Sequence, residues 1–188
     1  KDRHIEIIQL GLEEDACREM SDQGHRRVYI TDRLGMPLIE TVTGPDMHTP
    51  LEVAEVGQIC RRIVRSTGKV RTGIGAGRQD VNVSVTGGTR IEIKGVPRIA
   101  DIPLLTYNEA MRQWNLLRLR EELHSRGITA ETFESRAEII TRQVRKTKFR
   151  PIAEAVENGW AVRAVVIKGY KGLLLWQTQT DTVFAKEI

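Results

Sequence analysis

The sequence has few cysteines, no long apolar run and no predominance of charge of one sign. Cys17 and Cys60 lie far apart without CxxC or Cys/His spacing, which argues against a disulfide scaffold and a structural zinc site. No apolar stretch approaches the roughly 20 residues of a membrane span, and residues 1–8 lack the apolar core of a secretory signal. We therefore expect a chain that does not enter a membrane and works in the reducing cytoplasm.

The charge is nearly balanced, with 29 Lys and Arg against 25 Asp and Glu in 188 residues, for a net charge of +4. A hydrophobic fraction of 40% is typical of a globular chain with a core. The mild basic excess is compatible with nucleic-acid binding but does not establish it. Because the first residue is Lys1 rather than Met, we expect the chain to be a piece of a longer protein.

The first third of the chain predicts strands separated by polar turns. The strands are residues 5–12, 27–31 and 38–42, and the turns are residues 21–24 and 32–35. Thr49-Pro50 then predicts the start of a helix that ends at Gly68. Its apolar side is formed by Leu51, Ala54, Ile59, Ile63 and Val64.

The second half of the chain predicts helices first and an α/β element afterwards. Thr106 and Glu109 form a capping-box pattern for a long helix that ends at Gly127. The elements predicted after it are a helix from Ser135 towards Lys146, a short helix at residues 151–157 and a strand at residues 160–167. The change in character predicts a domain boundary near Lys148.

Residues 80–94 alternate between apolar and polar side chains, which predicts a hairpin around Gly87-Gly88. A two-residue loop would mix apolar and charged side chains on both faces. A loop of residues 86–88, with a glycine at positive φ, gives one apolar and one polar face. The predicted polar pairs are Asp80–Lys94, Asn82–Glu92 and Ser84–Arg90. This polar face is dense enough to bind phosphate or a metal, but a solvated sheet face has the same pattern.

Glu14 and Glu40 each continue the apolar face of a predicted strand. A buried carboxylate needs a partner or gives up its charge. Two such acids on neighbouring strands therefore predict a cation between them, and oxygen ligands suit Mg²⁺. The alternative is that each glutamate pairs with an arginine such as Arg18 or Arg33.

Three further features carry weaker signals. Gly73-x-Gly75-x-Gly77 precedes a strand rather than a helix, so it fits neither a Walker loop nor a dinucleotide fingerprint. A basic segment could contact an RNA backbone, although a solvated helix end is its ordinary explanation. Its cations are Arg142, Arg145, Lys146, Lys148 and Arg150. The four histidines show no spacing of a metal site or a triad.

Three motifs occur in order: Leu12-Glu13-Glu14-Asp15-Ala16, Gly35-Met36-Pro37-Leu38-Ile39-Glu40, and the hairpin from Arg78 to Gly95. Together they closely resemble the B/E family of tRNA-dependent amidotransferase subunits. Residues from Lys148 onward, including Lys168-Gly169-Tyr170-Lys171-Gly172, resemble the insert domain that the archaeal E-type branch shares with bacterial aspartyl-tRNA synthetases. The resemblance therefore favours the archaeal E-type branch over the B-type branch. With the predicted elements it implies an α+β fold, with an antiparallel-sheet cradle and packed helices over residues 1–147 and part of an α/β insert domain over residues 148–188.

The resemblance also implies an ATP-dependent ligase. In such an enzyme the side-chain carboxylate of the glutamate on Glu-tRNA(Gln) is phosphorylated, and ammonia from a partner amidase subunit displaces the phosphate. The implied cofactors are ATP and Mg²⁺, and the implied assembly is a hetero-oligomer. The implied catalytic residues are Glu14, Glu40 and Asp80, of which the two glutamates hold Mg²⁺. Substrate or nucleotide binding is assigned to Arg78, Asn82 and Lys94.

The sequence departs from the family at its ends. The N-terminal Gly-Leu-Glu-Ile-His stretch, which supplies further metal ligands, and the C-terminal regions that grip tRNA are not in it. We therefore expect the chain alone not to complete the reaction. Two alternatives are a non-catalytic tRNA-binding module, with structural acids, and a fragment of an aspartyl-tRNA synthetase. The second is disfavoured because the residues before Lys148 show none of that enzyme's adenylate-forming motifs.

Overall fold

The computed structural model describes residues 3–73 and 76–188. Within these residues the chain forms four α-helices and ten strands, and the strands pair as five two-stranded antiparallel ladders. The predicted α+β class is therefore confirmed. The chain divides into two compact units, one ending at Val70 and the other running from Arg71 to Ile188. None of the described helices is long and apolar enough to cross a membrane.

The first unit holds two antiparallel ribbons and one helix. β1 (Ile7–Glu14) pairs with β4 (Pro37–Thr43), and β2 (Arg18–Gln23) pairs with β3 (Arg26–Ile30). α1 (Pro50–Ser66) follows β4. Three of these strands lie where alternation predicts them, with ends shifted by one or two residues.

β2 is not predicted by the sequence, because Ser21-Asp22-Gln23-Gly24 has the composition of a turn. The turn itself consists of Gly24 and His25, and Gly24 has a φ of 60°. Every residue of β2 is exposed or only partly buried. Polar side chains are therefore tolerated on both faces of this strand, and the turn prediction for residues 21–23 is wrong.

Thr49 caps α1 as predicted. Its hydroxyl accepts from the Glu52 backbone N–H at 3.2 Å, and Glu52 Oε2 accepts from the Thr49 backbone N–H at 3.0 Å, which completes a capping box. Pro50 occupies the first turn, and Gly68 follows the helix with a φ of 67°. The predicted start and end are confirmed. The predicted apolar side is not buried, because no residue of α1 is buried in the described structure.

Replacing Thr49 by alanine is expected to raise amide exchange in α1 about fivefold, because an N-cap side chain contributes about 1 kcal/mol. The pKa of the Glu52 carboxyl is lowered, mainly by the hydrogen bond from the His48 backbone N–H. A lowered pKa in the folded state means that this capping interaction is present at neutral pH and is lost as the pH falls through that pKa.

Exchange in α1, corrected for intrinsic rates, should therefore also rise on acidification. Hydrogen-exchange mass spectrometry of residues 50–66 checks both expectations. Thr41→Ala, on an exposed position of β4, is the control. Unchanged protection in Thr49→Ala would show that the cap does not hold the helix.

The second unit is built on a hairpin that packs against a long helix. β5 (Gln79–Val83) pairs with β6 (Ile91–Val96), and α2 (Ile102–Ser125) contacts both strands. Within the described residues the buried apolar core is small, so each of its side chains contributes a large share of the hydrophobic stabilisation. Its members are Val81, Val83, Val96, Ile102, Leu119 and Leu173.

α2 begins four residues before the predicted capping box. Pro103 lies in its first turn, where the fixed φ of proline favours helix initiation. Thr106 is therefore buried inside the helix rather than at its N-cap, and the capping-box prediction is wrong. The predicted end is confirmed: Gly127 has a φ of 72°, and the Ile128 N–H donates to the Leu123 carbonyl at 2.9 Å.

Residues 135–139 form a strand where the sequence predicts a helix. This strand, β7 (Ser135–Ile139), pairs with β8 (Arg163–Ile167), and the pairing overrides the local helical pattern. Two short helices, α3 (Thr141–Val144) and α4 (Arg150–Glu157), lie between them. The predicted short helix and the turn at Asn158-Gly159 are observed, and the strand after them begins three residues later than predicted.

The C-terminal segment packs against α2. It contains β9 (Gln177–Gln179) and β10 (Thr182–Val183), and Thr178 is completely buried. The Asn115 side-chain amide donates to the Thr178 carbonyl at 3.0 Å, and the indole N–H of Trp176 donates to the Asn115 carbonyl at 3.0 Å. These hydrogen bonds fasten the segment to the middle of the helix.

Arg126 joins the two ends of the stretch that lies between α2 and the C-terminal segment. One guanidinium nitrogen, Nη1, donates to the carbonyls of Gly169 at 2.9 Å and Lys171 at 3.0 Å. Residues 127–172 therefore leave α2 and return to it. The predicted domain boundary near Lys148 lies inside this stretch and stays a prediction, although the β7–β8 ladder joins residues on both sides of it.

Candidate functional site

The β5–β6 hairpin has the predicted register over Val81 to Val83 only, because a register shift before Val81 disturbs the predicted Asp80–Lys94 pair. Asn82 faces Glu92, and Val83 faces Ile91 in the observed ladder. Val83 is buried and Ile91 is partly buried, whereas Asn82 and Glu92 are exposed, so the apolar and polar faces are also as predicted. The hairpin therefore presents one continuous polar surface to solvent.

The loop of the hairpin is longer than predicted. The ladder ends at the Val83–Ile91 pair, so the predicted pair of Ser84 and Arg90 is not part of it. A turn closes the loop: the Gly88 N–H donates to the Val85 carbonyl at 2.8 Å. Gly87, at the predicted turn, has the predicted positive φ, of 80°.

A β-bulge lies at the other end of the ladder. Lys94 and Gly95 together face Asp80, because the register shifts between Gln79 and Val81. Gly95 has a φ of 67°, and its N–H donates to Asp80 Oδ1 at 2.6 Å. Asp80 therefore holds the bulge, a role that the glycine within a strand pattern could have indicated.

Lys94 lies between two carboxylates on the polar face. Its Nζ is 3.1 Å from Glu92 Oε2 and 3.8 Å from Asp80 Oδ2, and 74% of its side chain is exposed. Exposed ion pairs of this kind contribute at most about 1 kcal/mol, so they can be exchanged for another anion. Lys94 can therefore donate to a phosphate that approaches from solvent. Arg78 is also exposed and directly precedes β5.

Gln113 fastens the hairpin to α2, a role that sequence reasoning missed. Its amide nitrogen donates to the Val83 carbonyl at 3.0 Å and to Glu109 at 2.8 Å, and its Oε1 accepts from the Val85 N–H at 3.2 Å. These backbone groups lie where the ladder ends. The sequence alone did not indicate this role, because it placed Thr106, seven residues earlier on the same helix face, at the N-cap rather than in the buried part of the helix.

The polar network continues along α2 to the C-terminal segment. Arg112 donates to Glu109 at 2.9 Å and to Glu187 at 3.2 Å, and Glu187 accepts from the Thr178 hydroxyl at 2.8 Å. The hydrogen bond with Glu109 raises the pKa of Arg112 further above its usual value. Its guanidinium is a permanent cation that joins the helix to the chain end.

Glu14 and Glu40 do not form the predicted pair. Glu40 faces Gly11 in the β1–β4 ladder and Glu14 faces Pro37, an odd offset of three positions. Side chains alternate along a strand, so the two glutamates belong to opposite faces of the ribbon. Both are exposed. The expectation of two buried carboxylates on either side of one cation is therefore wrong.

The predicted arginine partners are engaged by aspartates. Arg18 forms a bidentate ion pair with Asp32, and Arg33 Nε lies 3.6 Å from Asp15 Oδ2. Asp15, rather than Glu14, is the buried acid of its motif. Its N–H donates to the Met36 carbonyl at 2.8 Å, which continues the pairing beyond the end of β1.

The geometry of Glu14 and Glu40 does not support the metal site predicted for this pair. Within residues 3–73 and 76–188 there is no group of three or more His, Cys, Asp or Glu side chains that could hold a metal. Glu14 and Glu40, the implied Mg²⁺ ligands, point to opposite sides of a two-stranded ribbon. The register therefore does not support a shared ion at this pair, and Mg²⁺ binding by Glu14 and Glu40 stays a prediction.

The glycine motif lies partly outside the described residues, and the two cysteines form no disulfide. Gly75, the central glycine of the motif, lies outside the described residues, and Gly73 has a φ of 120°. Cys17 and Cys60 are free thiols. Glu14 and Glu40 belong to the first compact unit and the hairpin to the second, so their common site stays a prediction.

Residues 1–157 match the GatB/GatE catalytic domain family. The chain belongs to this family. The E subunit of the glutamyl-tRNA(Gln) amidotransferase of Saccharolobus solfataricus is 40% identical over 179 residues, which are 94% of this chain and 28% of the relative. The E subunit of the Pyrobaculum aerophilum enzyme is 41% identical over 184 residues, which are 98% of this chain and 30% of the relative.

The E subunit of the Sulfurisphaera tokodaii enzyme is 38% identical over 188 residues, which are 99% of this chain and 30% of the relative. The predicted membership in the B/E family and its archaeal E-type branch is therefore confirmed. The chain spans less than a third of the length of these curated relatives. The three motifs that carried the resemblance, from Leu12 to Gly95, all lie inside the matched family region.

Proposed function

We propose that this chain is part of a protein that converts Glu-tRNA(Gln) to Gln-tRNA(Gln). The observation that carries the proposal is the family match over residues 1–157, together with the name shared by the relatives, the E subunit of glutamyl-tRNA(Gln) amidotransferase. In the proposed reaction ATP transfers its γ-phosphoryl group to the glutamate side chain and leaves as ADP. Ammonia then attacks the acyl phosphate, and inorganic phosphate leaves as the amide forms.

Within this proposal the polar face of the hairpin binds the phosphates. Lys94 and Asn82 project from the exposed face, and Arg78 lies at its edge. A positively charged side chain offsets the negative charge on a transferring phosphoryl group, and amide donors orient it. Asp80 acts as a positioning residue, because it holds the bulge from which Lys94 projects. Glu14 and Glu40 stay proposed participants only as separate carboxylates.

The proposed partners follow from the same reaction. Ammonia must come from an amidase subunit, so the complete enzyme is a hetero-oligomer that acts in the cytoplasm with ATP and Mg²⁺. A second candidate is a non-catalytic tRNA-binding module. It is favoured by the ion pairs of Lys94 with Asp80 and Glu92, because acids that pair within the hairpin have a structural role; in this module the basic segment binds the RNA.

The full-length protein with its amidase partner tests the proposal. Conversion of Glu-tRNA(Gln) to Gln-tRNA(Gln) is measured with ATP and either glutamine or ammonium chloride as the nitrogen donor. Lys94→Met is expected to lower kcat/KM at least tenfold with both donors. Lys168→Met, which removes an exposed lysine paired with Glu134, is the matched control.

Comparing the activities with glutamine and with ammonium chloride distinguishes the possible results. Equal losses with glutamine and ammonium place the defect in the phosphorylation or transfer step. A wild-type enzyme that binds tRNA but consumes no ATP would favour the binding module and overturn the proposal. Full activity of Lys94→Met would remove the hairpin face from the site.

A further inference from the structure

The site proposed on the hairpin does not use a basic segment that lies between β7 and β8. It consists of five exposed cations without an intervening acid: Arg142, Arg145, Lys146, Lys148 and Arg150. Only Arg150 has a carboxylate partner within the described chain, through an ion pair with Glu154. The other four cations project into solvent with their charge uncompensated.

The segment is held on a rigid base. Thr141 Oγ1 accepts from the Val162 N–H at 2.8 Å, and the Ile140 N–H donates to the Val162 carbonyl at 2.9 Å. These hydrogen bonds extend the β7–β8 ladder to the start of the basic segment. The cations are therefore displayed from an ordered support rather than from a free tail.

Helix electrostatics do not account for this charge. A second group of unpaired cations, Arg61, Arg62 and Arg65, lies on the C-terminal half of the 17-residue helix α1, where the helix dipole favours positive charge. In the basic segment the helix α3 has only four residues; Arg145 is its C-cap, and Lys146 and Lys148 lie beyond it. Their charge therefore faces solvent without a structural partner.

Phe149 distinguishes the segment from a merely solvated surface. It lies between Lys148 and Arg150, and 63% of its surface is exposed. A ring flanked by cations suits an unpaired nucleotide, whose base stacks on the ring while its phosphates meet the positive charges. An acidic peptide would use the cations but would gain little from the exposed ring.

We infer that the basic segment is a contact surface for the phosphate backbone of tRNA, with Phe149 stacking on an unpaired base. This inference rests on the proposed function for the identity of the RNA. The chemistry itself requires only a phosphodiester backbone with accessible bases. Each cation that contacts a phosphate releases a counterion, so affinity depends steeply on salt.

Fluorescence anisotropy of a labelled tRNA(Gln) transcript bound to the full-length protein tests the inference. In the variant R142Q/R145Q/K148Q the slope of log affinity against log salt is expected to fall in magnitude by about 2 to 3, since each phosphate contact contributes about 0.7 to 0.9. The matched control is R61Q/R62Q/R65Q, which removes the same charge from α1. Equal losses in the two variants would show a general charge effect and overturn the inference.

Phe149 is tested separately with a single-stranded oligonucleotide. Phe149→Leu is expected to weaken binding about fivefold or more, whereas Phe149→Tyr keeps the ring and should bind normally. Equal binding by both variants would remove the stacking role. Tighter binding to polyglutamate than to RNA at equal salt would assign the surface to an acidic protein instead and overturn the inference.

Amidation kinetics distinguish a failure of this inference from a failure of the proposed function. The triple variant is expected to raise KM for tRNA and to leave kcat unchanged, because the segment binds and does not react. Failure of wild-type protein to amidate tRNA would overturn the proposed function alone, provided that the salt slopes differ as expected. A normal KM and a normal slope in the triple variant would overturn the inference while the amidation reaction stands.

Discussion

Replacing Ile102 by alanine is expected to lower the free energy of unfolding by about 2 to 5 kcal/mol, the usual range for an isoleucine truncated in a core. Ile102 is 1% exposed and belongs to a core with few members, so no neighbouring apolar side chain can compensate for its loss. Tryptophan fluorescence during urea denaturation measures the effect. All three tryptophans, Trp114, Trp160 and Trp176, lie in the same compact unit as Ile102.

Leu104 supplies a matched control two residues further along the same helix. Its side chain is 64% exposed, so Leu104→Ala is expected to change stability by no more than about 0.5 kcal/mol. Comparable losses in the two variants would mean that Ile102 is not a core residue. A loss confined to Ile102→Ala would confirm that burial of this side chain stabilises the second unit.

Replacing Gln113 by alanine is expected to cost about 2 to 4 kcal/mol, because it removes the side-chain partner of both the Val83 carbonyl and the Val85 N–H. Leaving the buried Val83 carbonyl unsatisfied costs about 1 to 3 kcal/mol, and the partly buried Val85 N–H adds a smaller cost. The same fluorescence-detected denaturation measures the loss. Gln143→Ala on the exposed face of α3 is the control and should be nearly neutral.

Gly88 allows a stricter test of the same contact. A Cβ at this position would lie 2.6 Å from Gln113 Oε1, so Gly88→Ala must displace the side-chain amide. Because both substitutions break one interaction, the double variant should be destabilised by less than the sum of the single variants. Strict additivity would show that Gln113 does not hold the end of the hairpin.

The hairpin register was predictable because its two strands constrain each other. Only one pairing places Val81 and Val83 beside Ile91 and Ile93 without burying a charge, so alternation alone selects it. The start of α1 was also predictable, because Thr49 and Pro50 determine it through interactions with the first turn of the helix. In both places the deciding interactions lie within a few residues or within one turn.

The position of Glu14 relative to Glu40 was not predictable from alternation. Alternation groups the side chains of each strand into two faces, but neither face of β1 is buried, and the relative phase of two paired strands depends on their register. The polypeptide between them includes β2 and β3, and residues 21–23 of β2 have the composition of a turn. A shift of one residue in that register would have placed both carboxylates on one face. Burial of Asp15 likewise depends on the chain folding back at Gly35, where φ is 76°.

The hydrogen bonds of Arg126 have a consequence for how this domain can change in evolution. Residues 127–172 begin and end beside one helix terminus, because the guanidinium bonds to Gly169 and Lys171. Lengthening a loop whose ends are already fastened costs only about 0.6 kcal/mol for each doubling. This stretch could therefore be enlarged, exchanged or lost during evolution while the hairpin and α2 kept their packing. It is a position at which the domain tolerates insertions.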